Sequence, residues 1–171
     1  MTSVSTAEAD VLRCGYDVGY FDKSDIITWA DRQIAACDSP TDALLDLSMC
    51  RKDHPIDVMN HLGVLGSNDP VTALETQFGF IGLTFQSEQL SLQQAIRGLF
   101  ALVHERGITD DQQSMIYHLD DGYDLAVEGS YGTLANTESE FLDFVAPYAE
   151  QLRVQYPLLV PRGGPVEKDR D

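Results

Sequence analysis

Six residues between positions 110 and 128 could build a recognition surface. On a helix at about 100° per residue, Asp110, Ser114, Tyr117, Asp121, Asp124 and Glu128 fall on one stripe. Met115, Ile116, Leu119, Tyr123 and Ala126 fall opposite, toward a core. The stripe belongs to a stretch, Gly107 to Leu152, that carries ten acids and no Lys or Arg. Carboxylates around an aromatic suit attachment to a basic protein, because aromatic residues anchor interfaces and opposite charge speeds association. The plainer reading is a solvated helix face, and Gly122 weakens the case for a helix that runs unbroken.

Two groupings have the residue types of a metal site. His54, Asp57 and His61 offer two imidazoles and a carboxylate, with Asp57 and His61 four apart on one helical face. His118 with Asp120 and Asp121 is the other. Neither contains His-Glu-x-x-His, and the aspartates do not follow calcium-loop spacing. The first grouping would support a metal-dependent hydrolase; His54, standing before Pro55, also reads as the cap of a helix.

Other catalytic patterns are missing. There is no Gly-x-Ser-x-Gly elbow, phosphate loop or dinucleotide fingerprint. Gly79-Phe-Ile-Gly82 lies in an apolar helical run and reads as close helix packing. His104-Glu105-Arg106 reads as the basic end of a helix, complementing its dipole. The sequence implies no cofactor and offers no positive argument for an enzyme. Trp29, the single tryptophan, reads as core.

The elements that must position these residues are helical. Ser5…Glu8, Ser91…Gln94, Thr109…Gln112 and Thr137…Glu140 fit capping boxes. Ser39-Pro40, Asp69-Pro70 and His54-Pro55 place a cap before a first-turn proline, and Asp22 or Ser24 can open another helix. Gly15, Gly66, Gly107 and Gly129 stand where helices stop, and Pro147 should kink or end the last one. Between these marks the apolar steps alternate three and four, as in Val71, Leu74, Phe78, Ile81 and Phe85, or Leu92, Ile96, Leu99 and Val103. Two-residue alternation is absent over any useful length; only Tyr156–Val160 could be extended. The expected fold is all-α, one compact bundle of about seven or eight short-to-medium helices over 1–160, with a disordered tail over 161–171. The weakest joint is the loop Gly66-Ser67-Asn68-Asp69.

Charge narrows the function classes. With 28 acids against 11 bases, the 171 residues carry a formal net charge of −17. Such a chain is repelled by phosphate backbones and anionic membranes, and drawn to cationic partners or to salt. Three lysines (Lys23, Lys52, Lys168) amid many aspartates also suit salt adaptation of a structural or housekeeping protein. No run of eighteen apolar residues occurs. The start, Met1-Thr2-Ser3-Val4-Ser5, is neither basic nor apolar, so no signal peptide is read and a cytoplasmic location is expected. Cys14, Cys37 and Cys50 form no C-x-x-C pair and read as small hydrophobes.

The segment Asp25-Ile-Ile-Thr-Trp-Ala-Asp-Arg-Gln-Ile34, followed by Ser39-Pro-Thr-Asp-Ala-Leu-Leu-Asp-Leu-Ser48, resembles an element of small bacterial α-helical proteins of the immunity-protein type. It covers less than a quarter of the chain. The resemblance implies a compact helical inhibitor that neutralises a toxin, and transfers no binding residues. Combined with the acidic stretch, it leads to an expected function: a non-enzymatic acidic protein occluding a basic toxin such as a nuclease.

Overall fold

The computed structural model describes residues 5–67 and 69–160. The tail expected to be disordered, 161–171, lies outside them. Eight α-helices follow one another: α1 (Thr6–Asp17), α2 (Lys23–Ala36), α3 (Asp42–Ser48), α4 (Pro55–Leu65), α5 (Pro70–Gln86), α6 (Leu92–Ala101), α7 (Asp110–Val127) and α8 (Leu134–Gln155). A 3₁₀ turn, Cys50–Lys52, joins α3 to α4. There is no strand among the described residues. The fold is all-α, as the periodicity predicts. No helix among them is long and apolar enough to cross a membrane.

Most starts follow from local chemistry. Asp22, Ser91 and Thr109 each accept a hydrogen bond from the backbone N–H three residues on, and Asp25, Gln94 and Gln112 return it. Ser5 caps α1 by accepting from the Glu8 N–H, but the Glu8 carboxylate does not close the box. It accepts instead from Trp29 Nε1 (2.8 Å) and Gln33 Nε2 (3.0 Å), tying α1 to α2. Trp29 is fully buried, its one polar atom satisfied. Asp69 accepts from the Thr72 hydroxyl and the Val71 N–H at the head of α5. These bonds, the hydroxyl's first, hold its carboxyl below the usual carboxylate range.

Several boundaries move. α8 begins four residues before the predicted box: Thr133 caps it, and Thr137 is buried within the helix. α3 starts after Thr41, not at Ser39-Pro40. Gly15 is interior to α1, whose last turn is followed by Gly19 at φ +78°. Pro147 neither ends nor interrupts α8. It lies on the exposed side, where water can solvate the carbonyl its ring leaves unbonded. Tyr156–Val160 is a tight turn and not an extended segment, since Leu159 and Val160 both donate to the Tyr156 carbonyl.

Contacts divide the chain into two compact units, Met1–Gln77 and Phe78–Asp171, so the boundary falls inside α5 and not at the 66–69 loop. In the first unit α1 lies on α4, α3 on both α2 and α4. Asp10 of α1 accepts from the Ser67 N–H at 2.8 Å. That approach needs Gly66, where a Cβ would fall 2.0 Å from the Asp10 carboxylate. Cys14 is buried and donates to the Ala73 carbonyl.

In the second unit, Gly79 and Gly82 let α5 approach α8: a Cβ would meet Leu152 Cδ1 at 2.7 Å from one and Val145 Cγ2 at 2.7 Å from the other. This is the close packing expected of Gly79-Phe-Ile-Gly82. Phe78 packs against Phe144 and Tyr148, and Phe85 against Phe141. α7 then lies between α6 and α8 in contact order.

Candidate functional site: the acidic face of α7

α7 runs unbroken through Gly122, because Ile116 and Leu119 are buried and tertiary packing outweighs one glycine's propensity. Asp110, Ser114, Tyr117, Asp121, Asp124 and Glu128 are all exposed, so the helix brings the six predicted residues onto one surface. Of the five residues expected opposite, Tyr123 and Ala126 are half-buried, whereas Met115 is 38 % exposed at the edge of the stripe.

The charge of the stripe is partly neutralised. Arg97 of α6 reaches Asp120 and Asp124, with Nη2 3.2 Å from the Asp124 carboxylate. Sequence reading assigned Asp124 to an open face because the 107–152 stretch has no cation of its own; Arg97 stands ten residues outside it and arrives through the α6–α7 packing. Asp110, Asp121 and Glu128 have no ion pair among the described residues. Tyr117 is 38 % exposed, its ring edge-on to Phe100 of α6 at 5.8 Å. A side chain already packed on its own molecule offers less new area to a partner.

The turn after α7 supplies what the stripe lacks. Tyr131 is 77 % exposed, with Val127, Leu125 and Leu134 also exposed around it. The turn is ordered by its backbone: Gly129 N–H donates to Ala126 O and Ser130 N–H to Leu125 O, a Schellman closure. Gly129 (φ +70°) and Gly132 (φ +73°) have nothing within 4 Å of a Cβ, so they are needed for conformation and not for space. Two left-handed glycines thereby flank Tyr131. Sequence reading passes over it; the signal is Gly129-Ser-Tyr-Gly132, an aromatic set between two glycines where the helix stops.

The metal groupings do not assemble. His54 Nδ1 accepts from the Ile56 N–H at 3.3 Å, making it the cap of α4, while His61 faces Asp46 of α3 at 3.8 Å. His118 pairs with Glu140 of α8 at 3.1 Å, and Asp120 with Arg97. No group of three or more His, Cys, Asp or Glu among the described residues converges as a metal site. His104-Glu105-Arg106 lies in the turns beyond α6 and not in its last turn. The three cysteines are free; burial pushes the Cys14 thiol up to about 12 and raises that of Cys50.

No family model, curated protein or solved structure matches the chain. Fold and surface together describe an all-α protein with an acidic helical face ending in a hydrogen-bonded turn that exposes an aromatic.

Proposed function

We propose that this chain is a non-enzymatic binding protein, acting in the cytoplasm, that meets a basic protein partner with α7 and the turn after it. The observation that carries the reading is continuity: the exposed stripe of carboxylates runs directly into the ordered turn that presents Tyr131. Carboxylates steer a cationic surface into place, and an aromatic carried on an ordered backbone turn spares the partner complex the cost of ordering that turn. Nucleic acid is the wrong partner, since its phosphates meet the same charge. The resemblance of Asp25–Ser48 to immunity proteins specifies the role further, as an inhibitor occluding the phosphate-receiving cleft of a basic toxin.

The test is capture from source lysate at moderate salt by the intact chain, beside Tyr131→Ala and the double variant Asp121→Lys/Glu128→Lys. A basic protein held by the wild type should be lost to both, each weakening affinity at least tenfold, and its activity should fall when the complex forms. Asp124 is a poor choice for reversal because it faces Arg97. Equal capture by all three proteins would remove the interface assignment.

A second reading draws on the distribution of charge. Residues 1–77 hold thirteen acids against five Lys and Arg, and residues 78–160 twelve against three. So even a spread is what solvation of a protein in strong salt requires, and it would leave the α7 face a hydrated surface.

A further inference from the structure

The turn between α3 and α4 carries a surface opposite in character to the α7 face. In this 3₁₀ turn, Cys50–Lys52, the Cys50 side chain is fully buried while Arg51 and Lys52 are exposed. They are the only adjacent cations within residues 5–160. Neither forms an ion pair with another described residue. Apolar side chains flank them in sequence, with Met49 71 % and Ile56 59 % exposed.

The backbone of the turn is held on both sides. The Asp53 N–H donates to the Cys50 carbonyl at 3.0 Å, the Lys23 ammonium of α2 donates to the Asp53 carbonyl, and His54 caps α4 directly after it. Asp57 is exposed in the first turn of α4, so the positive charge is confined to the turn itself. Two copies of a chain of net charge −17 repel each other wherever carboxylates face carboxylates. Either surface set against its own counterpart would oppose like charges. One copy's turn set on another's α7 face joins opposite signs instead, Arg51 and Lys52 with the unpaired Asp121 and Glu128. The same placement offers Met49 and Ile56 to the exposed Tyr131 and Val127.

We propose that the α7 face also receives a second copy of this chain, which docks its Cys50–Lys52 turn there, head to tail. Such a contact is heterologous, with a different patch on each side, so one copy's turn and another's face both stay open at the ends of the assembly. The inference rests on the reading of α7 as an interface and adds its regulation. A face occupied by a neighbouring copy is withheld from any other basic protein.

The test is sedimentation velocity of the full chain from micromolar to millimolar protein, at three salt concentrations. Association should be strongest near about 0.15 M salt, where a screening length of roughly 8 Å damps long-range repulsion but spares contact pairs. It should weaken both near about 0.01 M, where repulsion reaches roughly 30 Å, and at about 1 M, where the pairs themselves are screened. Arg51→Ser/Lys52→Ser and Asp121→Asn/Glu128→Gln should each weaken association at least tenfold. An equimolar mixture of the two variants should nevertheless pair one to one, since each keeps the surface that the other lacks; that recovery also shows that both fold. Association that keeps strengthening up to the highest salt would be apolar clustering and would overturn the proposal. So would association that the turn variant abolishes and the α7 variant leaves intact, because the turn would then dock elsewhere. A wild type that stays monomeric throughout overturns it as well, while capture from lysate remains the separate test of the α7 face.

Discussion

Glu88 stands where most helix ends place glycine, and it carries the conformational cost of the left-handed region. Replacing it with glycine should raise stability by about 0.5–1 kcal/mol, part of the relief being offset by glycine's larger unfolded-state entropy. Chemical denaturation would read this as a higher midpoint at unchanged slope; a lower midpoint would show that the side chain holds the turn. Cys14 makes a second residue-scale prediction. Burial is the largest cause of its raised pKa, from 9.0 to about 12. The folded state therefore keeps a proton that the unfolded state loses first. The thiol's contribution is complete below about pH 9 and declines as pH rises toward 12. Native protein at pH 8 should leave Cys14 unmodified by a thiol reagent, with labelling there only on unfolding.

Between elements, glycines of similar appearance play opposite parts. At Gly82 a Cβ would lie 2.7 and 2.9 Å from the branched Val145 of α8, which sits in a buried seam and cannot give way. Gly82→Ala should cost about 1–3 kcal/mol by overpacking. At Gly98, interior to α6, a Cβ would meet Ile81 at 3.5 Å, an ordinary contact. Gly98→Ala should instead gain about 0.5–1 kcal/mol from helix propensity. Thermal unfolding of the two variants decides the point, and equal effects would show that α5 and α6 do not pack on their neighbours as described. α7 teaches a related lesson. Its stripe was legible from spacing alone, while the ion pair at Asp124 required knowing which helix lies beside it.

For the molecule as a whole, a net charge of −17 makes self-repulsion a term in stability. Arg97 pairs with Asp120 and Asp124, and exposed pairs of this kind are worth about 0–1 kcal/mol. Raising salt from about 0.01 M to 1 M contracts the screening length from roughly 30 to 3 Å. The melting temperature should rise over that range. Salt adaptation requires more: marked unfolding at the low end. A chain fully folded at low salt would instead favour the binding reading.

Helical content, most caps, the spacing of the glycine pair in α5 and the carboxylate stripe of α7 all follow from neighbours within about four positions, where hydrogen-bond rings and helical period act. These the linear chain determines unaided. Which side chains meet from distant elements is another matter: Arg97 with Asp124, His118 with Glu140, and Glu8 with Trp29. Those depend on how the helices pack, and so does the start of α8, where burial of Thr137 overrode a plausible cap. Local rules specify each helix and its faces; only packing decides which face is covered, and by what.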